Sequence, residues 1–330
     1  MRRENLTDEQ LLYQWASLVL PYLSPRDLAA SACACRTLSL IASGVTSRRT
    51  ADAARGLERY PIPFGNATAS PQPYSYFLYT PHPILSPSPS SSFSQSWGGE
   101  GTRGSATDCE RLQGLRSCFG GFEVGCDCDR CEEGRCSCWS DMELGVLKEC
   151  GENCACGLTC ENRRTRSGIP IRLKIVRDAR KGWSLHAAEA IRRGDFVCEY
   201  AGEYLTTEEA QIRLKTYDEL SLKGTISPAL LVVREHLPSG KACLRVNIDA
   251  TKIGNAARFI NHSCDGGNLK LLLVRNSGSL LPRLCFFASV DISEDEELSF
   301  SYGASAIKEN SLPCFCGSAN CSGVLPSEET

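Results

Sequence analysis

Residues 126–160 read CDCDRCEEGRCSCWSDMELGVLKECGENCACGLTC, and this stretch decides the fold. Nine cysteines (Cys126, Cys128, Cys131, Cys136, Cys138, Cys150, Cys154, Cys156 and Cys160) follow the spacing C-x-C-x2-C-x4-C-x-C, eleven residues, then C-x3-C-x-C-x3-C. An odd number argues against a closed disulfide set. Cysteines one residue apart cannot easily bridge each other, but they can face a common metal. Structural zinc takes four ligands, so three ions need twelve metal–sulfur bonds, which six singly bound and three bridging cysteines supply. A segment this short buries little apolar surface, so metal takes the place of a core. Nine acidic against three basic residues from 126 to 161 speak against nucleic-acid binding by this zone.

The rest of the chain frames this zone. Of 330 residues, 42% are hydrophobic and 23% charged, the net charge is −3, and 20 are cysteine. That composition fits a globular protein and disfavours wholesale binding to a polyanion. The opening MRRENLTDEQLLYQWASLVLPYL is too short and too polar for a membrane span and lacks a small-residue cleavage site. A reducing compartment is expected, where thiols hold metal more often than they form disulfides.

Residues 1–60 read as helical, with Ser24-Pro25 as an N-cap and first-turn proline. Residues 61–105, rich in Pro, Ser and Gly, read as a flexible linker. The cysteine module occupies 106–165. Residues 166–303 are strand country: IRLKIV, FVCEYAG, LRVNID, LKLLLVR and RLCFFASV are separated by turn formers, with NSGS at 276–279 as a hairpin turn.

The nine-cysteine spacing resembles the pre-SET module of SET-domain histone lysine methyltransferases, in the plant-type suppressor-of-variegation branch. The resemblance implies three zinc ions bridged by Cys126, Cys131 and Cys150. It also implies a mainly β SET fold of small curved sheets with a knot-like C-terminal threading, flanked by zinc-bound pre-SET and post-SET modules. Three motifs follow in the family's order. Lys181-Gly182-Trp183-Ser184 resembles the loop that approaches S-adenosylmethionine, with Ser184 in place of a glycine. GNAARFINHSC, Gly254 to Cys264, resembles the cofactor signature, which gives Asn261 and His262 to the cofactor and Arg258 to bracing the loop. EELSFSYG, Glu296 to Gly303, places Tyr302 on the catalytic tyrosine, with Ser301 for the usual aspartate. Cys314, Cys316 and Cys321 resemble the post-SET set, whose fourth zinc ligand is Cys264. The SET domain is thus expected at 166–303 and the post-SET module and tail at 304–330.

The chemistry asks for these residue types. Methyl transfer from a sulfonium to an amine is an in-line displacement, so the lysine must arrive neutral and aligned. Its reference pKa near 10.4 must be overcome by lost water and by the nearby positive sulfur. Tyr302, Phe300 and Tyr200 are the candidates for the channel that orients it. By resemblance, phenylalanine at 300 favours more than one methyl group, and a second channel tyrosine has no clear counterpart in 228–240, with Tyr217 nearby.

The expected function is a zinc-containing histone-lysine N-methyltransferase of the nucleus and chromatin, acting on the ninth-position lysine of histone H3 in silencing. The rivals are a non-histone lysine methyltransferase and a catalytically weak chromatin scaffold or ubiquitin-ligase adaptor. Residues 6–38 loosely resemble an F-box, which implies a Skp-type adaptor partner; a helical docking or dimerisation segment is the plainer reading. The acidic run 291–297 is either an attractor for a basic tail or a solvated turn. The basic stretch 163–181 is either a DNA contact or alternating strand residues. Cys33, Cys35, Cys109, Cys118, Cys198, Cys243 and Cys285 are left as buried or free thiols.

Overall fold

The computed structural model describes residues 7–85, 125–133, 135–139, 146–157, 159–222, 227–236, 243–277, 281–303 and 312–326. Three helices come first, α1 (Asp8–Val19), α2 (Pro25–Ala32) and α3 (Arg36–Ala51). Thr7 caps α1 in a reciprocal box with Gln10, and Ser24 caps α2 ahead of Pro25. Ala16, Leu20, Leu28, Ile41, Ala42 and Val45 form their common core. Arg49 of α3 is fully buried. Its guanidinium donates to the Tyr74 hydroxyl at 2.9 Å and to the carbonyls of Pro21 and Leu23 at 3.0 and 2.8 Å, so the cost of burying the charge is offset.

Residues 61–85 are not the flexible linker that their composition suggested. Phe64–Asn66 (β1), Leu78–Tyr79 (β2) and Ile84–Leu85 (β3) each pair in parallel with a later strand. Ile62, Phe64, Tyr74, Phe77 and Tyr79 are buried in the main core. The prolines space these aromatic anchors, and anchors separated by prolines can bury without regular periodicity. The half-buried Glu58 carboxylate fixes the same segment, accepting from the Tyr79 hydroxyl at 2.7 Å and the Ile169 backbone N–H at 2.9 Å. Residues 86–105 of the expected linker lie outside the described residues, as do Cys109 and Cys118.

The catalytic region is built from small sheets. β1 pairs with β5 (Leu173–Asp178), which forms a hairpin with β6 (Gly182–Ala187). β2, β3, β8 (Gly202–Leu205), β9 (Leu230–His236) and β10 (Cys243–Gly254) make the second sheet. The third joins β4 (Val146–Glu149), β12 (Leu269–Asn276), β13 (Arg283–Ala288) and β7 (Phe196–Glu199). Helix α4 (Thr207–Leu222) follows β8. The strand runs expected between 171 and 290 all fall on strands. Asn276 and Ser277 of the expected hairpin turn are described, whereas 278 and 279 are not. The last pair positions the site: β11 (Asn261–His262) lies parallel to β14 (Ser299–Phe300), so the C-terminal tyrosine segment runs beside the Asn-His segment. No described helix is long and apolar enough to cross a membrane.

Candidate active site and metal centres

The parallel pairing of β11 with β14 sets Asn261 opposite Ser299 and His262 opposite Phe300. Past the strand, the Tyr302 hydroxyl donates to the Ile260 carbonyl at 2.8 Å, and the Tyr302 backbone N–H donates to His262 Nδ1 at 3.1 Å. Tyr302 is partly exposed (39%), with its hydroxyl tied to a backbone carbonyl. Burial pushes that phenol above the ordinary tyrosine range and keeps it protonated.

An aromatic line leads away from it. Ring centroids are 4.9 Å apart for Tyr302 and Phe300, 4.8 Å for Phe300 and Phe286, and 6.4 Å for Phe286 and Tyr200. The Tyr200 hydroxyl donates to the Ala229 carbonyl at 2.6 Å, and burial raises its pKa as well. The three residues expected for the lysine channel are therefore in one apolar line. Phe286 completes it and was missed; it lies in the expected strand RLCFFASV, where alternation alone does not tell a channel wall from core. Tyr217 donates instead to the buried Asp249 at 2.7 Å and is outside this line.

The turn of the β5–β6 hairpin brings Lys181, Gly182 and Trp183 to the same region. Asp178 Oδ1 accepts from the backbone N–H groups of Lys181 and Arg180, which lower its pKa and fix the turn. Gly182 follows at φ 81°, a left-handed conformation that glycine adopts without strain. Trp183 stacks edge-on against Phe64, at 5.2 Å. Ser184 is buried, and its hydroxyl bonds to the Val176 carbonyl at 3.0 Å and the His186 ring at 2.9 Å. Ser301 is exposed, where loss of an aspartate leaves no buried partner stranded.

Glu297, which the sequence placed in the acidic run and at the start of the EELSFSYG motif without a role of its own, has one in the structure. Its carboxylate accepts from Lys181 Nζ at 2.6 Å and from Asn261 Nδ2 at 3.0 Å, and its backbone carbonyl accepts from Asn268 Nδ2 at 2.9 Å. It thereby ties the glycine loop to the Asn-His segment. The run 291–297 splits accordingly: Glu296 and Glu297 are engaged internally, and Asp295 pairs with Lys174. Arg258 braces as expected. It donates to the Ala250 and Thr251 carbonyls at 2.8 and 3.1 Å, lies over Phe77 and Phe259, and is brought down to about 10 by burial. The basic stretch 163–181 is also used internally in part: Arg163 faces the cysteine cluster and Arg177 stacks on Trp183.

The cysteines gather in two places. Cys126, Cys138, Cys150 and Cys154 have sulfurs within 4.8 Å of one another; so do Cys126, Cys128, Cys131 and Cys136, and Cys126, Cys131, Cys150 and Cys156. Cys126 is common to these three groups, and Cys131 and Cys150 to two each. The sulfurs of these three lie 3.5–3.9 Å apart, and those of Cys138 and Cys154 3.6 Å. A disulfide needs about 2.0 Å, whereas a zinc–sulfur distance of about 2.3 Å gives a tetrahedral edge of about 3.8 Å. The donor set therefore fits zinc.

Donors from outside complete the cluster. Asn162 Nδ2 reaches Cys150 Sγ at 3.4 Å, Ser277 Oγ reaches Cys138 Sγ at 2.7 Å, and Arg163 reaches Cys156 Sγ at 3.5 Å. Burial raises the Cys156 thiol, but the Arg163 guanidinium and neighbouring sulfurs outweigh it and bring it down to about 7. Cys264, Cys314, Cys316 and Cys321 form the second site, bringing together residues 50 and more positions apart. Cys160 is half-buried and packs against the first cluster but is in none of its three four-sulfur groups; of the other described cysteines, Cys198 and Cys285 are buried, and Cys33, Cys35 and Cys243 are exposed.

Comparison with known proteins agrees with this geometry. Residues 182–303 match the SET domain model. The Arabidopsis thaliana histone-lysine N-methyltransferase SUVR3 is 52% identical over 333 residues, covering 96% of this chain and 91% of that protein. The chain belongs to the SET-domain histone-lysine N-methyltransferases. The methyltransferase domain of human SETMAR has a similar structure, with a TM-score of 0.62 at 30% identity, covering 84% of this methyltransferase and 97% of that chain. KRYPTONITE in complex with mCHH DNA, an H3(1-15) peptide and SAH gives 0.59 at 26% identity, covering 83% of this chain and 53% of that one. This methyltransferase is an S-adenosylmethionine-dependent protein-lysine methyltransferase. The relatives give no support to a Skp-type adaptor for the N-terminal helices.

Proposed function

We propose that this methyltransferase acts on a lysine of the histone H3 tail, the ninth-position lysine first, in the nucleus and on chromatin as part of silencing. The H3(1-15) peptide and SAH held by KRYPTONITE support the substrate and the cofactor. The observation that carries the reading is the protonated Tyr302 phenol at the end of an aromatic line, beside the Asn261–His262 segment.

In this reading S-adenosylmethionine supplies an activated methyl group on a sulfonium. Lys181, Gly182, Trp183, Asn261, His262 and Tyr302 would hold it. Tyr302, Phe300 and Tyr200, with Phe286 between the last two, enclose the alkyl stem of the substrate lysine and exclude water, which favours its neutral amine. The Tyr302 and Tyr200 hydroxyls keep their protons and act by orientation, aligning the nitrogen lone pair for in-line attack.

Three zinc ions in the module at 106–165 and one in 304–330 would shape the flanks of the domain at 166–303. In the first module Cys126, Cys131 and Cys150 would bridge. Cys128 and Cys136, Cys138 and Cys154, and Cys156 and Cys160 would complete the three ions.

Mass spectrometry of H3 peptides and nucleosomes incubated with S-adenosylmethionine tests the reading. Methylation at the ninth-position lysine, lost in Tyr302→Phe, is expected, together with about four zinc ions per chain by elemental analysis. Transfer to another lysine alone overturns the substrate, and one zinc or none in folded, active protein overturns the metal assignment.

A further inference from the structure

One guanidinium joins the cysteine module, the SET domain and the segment ahead of β3. Arg283 opens β13 with 13% of its side chain exposed, and it lies between two buried carboxylates. Its Nη2 donates to Glu149 Oε2 at 3.2 Å, and its Nη1 donates to Glu199 Oε2 at 3.3 Å. Nη1 also donates to the Thr165 carbonyl at 3.1 Å, and Nη2 to the Thr165 hydroxyl and to Asn276 Oδ1, the latter at 3.2 Å. His82 Nδ1 lies 3.0 Å from the same Glu199 oxygen.

Each carboxylate sits one residue before a group with a proposed role. Glu149 precedes Cys150, and its carboxylate accepts from the Thr165 N–H at 3.1 Å and hydroxyl at 2.7 Å. Its carbonyl accepts at 2.9 Å from the N–H of Ser277, whose hydroxyl reaches Cys138 Sγ. Glu199 ends β7 and precedes Tyr200. Its carbonyl accepts from Asn255 Nδ2 at 2.7 Å, and the Tyr200 N–H donates at 2.7 Å to the carbonyl of Leu284, next to Arg283. The β7–β13 register shifts between Phe286 and Phe287, and an irregular ladder sets the direction of the departing chain less firmly than a regular one.

We infer that Arg283 is a positioning residue for methyl transfer. Through Glu199 and Glu149 it fixes where Tyr200 stands in the channel relative to the cysteine module. The inference rests on the proposed place of Tyr200 in the channel, and not on which lysine is methylated. Stability alone does not account for the arrangement, because a buried ion set is often no more stabilising than a well-packed neutral one. What the planar fork adds is geometry: it meets both carboxylates with fixed direction and separation, which a point charge does not. That geometry matters at the reacting atoms, where a misplacement of about 1 Å costs on the order of 100-fold in rate.

Variants of the full, zinc-loaded chain test this with an H3 peptide, or with whichever lysine substrate the wild type methylates. Arg283→Lys keeps the charge and loses the fork. It should retain zinc content and equilibrium binding of S-adenosylmethionine, while kcat falls about 10–100-fold with little change in KM for the peptide. Arg283→Met combined with Glu149→Gln and Glu199→Gln removes the charges together, so none is left buried and unpaired. Its melting temperature should stay close to the wild-type value while kcat remains low. Recovery of kcat in this neutral variant makes Arg283 a structural residue only and overturns the inference. A loss of zinc or of S-adenosylmethionine affinity that parallels the loss of kcat does the same. Tyr200→Phe, which removes the hydroxyl bound to Ala229, separates the two readings. If it lowers kcat and Arg283→Lys does not, the inference alone falls; if it leaves kcat unchanged, Tyr200 is not in the channel and both fall.

Discussion

Tyr302 and Cys264 are joined through one imidazole. His262 Nδ1 accepts the Tyr302 backbone N–H at 3.1 Å, and His262 Nε2 lies 3.2 Å from Cys264 Sγ. Because Nδ1 is an acceptor, the neutral ring carries its proton on Nε2 and donates it to the sulfur. Burial lowers the His262 pKa and so favours this neutral form. The proposed catalytic tyrosine and a proposed ligand of the post-SET zinc are therefore set by the same side chain.

Replacement of His262 should disturb both partners at once. His262→Ala is expected to speed release of one zinc ion into a chelator by about 10–100-fold, the usual effect of losing a group that supports a ligand. The same variant should lower kcat. Chelator-monitored release and steady-state kinetics check the pair, and unchanged zinc release separates the imidazole from the metal.

A second junction predicts a different kinetic signature. Glu297 binds Lys181 and Asn261 together, so its loss should free two segments of the proposed cofactor site without touching the aromatic line. Glu297→Ala should raise KM for S-adenosylmethionine about tenfold or more, a loss of about 1.4 kcal/mol or more, with a smaller change in KM for the peptide. Glu297→Gln retains one acceptor oxygen and should fall between. Equal effects on both KM values would point to general loosening instead.

Glu58 gives the fold a pH dependence away from the metal sites. Burial raises its carboxyl to about 7 despite hydrogen bonds from Ile169 and Tyr79. The folded state thus binds a proton more tightly than the unfolded chain does, and the stability this contributes is present at low pH. It declines from the ordinary carboxylate range up to about pH 7 and is flat above. The full span is on the order of 3 kcal/mol. Glu58→Gln removes the titration while its amide can still accept from Ile169 and donate to Tyr79. Chemical denaturation of both proteins across this range should show the variant gaining on the wild type as pH rises; parallel curves would count against it.

Much of this was legible in the residues, and the failures have physical causes. The cysteine spacing carries its own geometry, since ligands must meet at one ion whatever lies between them. The strand runs between 171 and 290 were legible because β-branched and aromatic clusters bounded by turn formers leave few other structures. Residues 61–85 were not, because their strands are only two or three residues long and parallel pairing with distant partners leaves no local alternation. Glu297 was hidden for a related reason. Five acidic residues in seven look like a solvated turn, and only the fold shows which of them face Lys181 and Asn261.

Phe300 offers the sharpest test of the channel. Its ring lies 4.9 Å from that of Tyr302 and 4.8 Å from that of Phe286, on the wall of the space where the substrate nitrogen is proposed to sit. Phenylalanine leaves that space open to a nitrogen already carrying methyl groups. A hydroxyl there would occupy it and, by accepting a hydrogen bond from the amine, would hold the lone pair away after one transfer. Phe300→Tyr is therefore expected to shift products toward monomethyl-lysine while retaining the first transfer within about tenfold, since the added oxygen is small and polar and leaves the aromatic line in place. Time-resolved mass spectrometry of the modified peptide reads both quantities. A variant that still accumulates di- or trimethyl-lysine at the wild-type ratio would remove Phe300 from the channel wall.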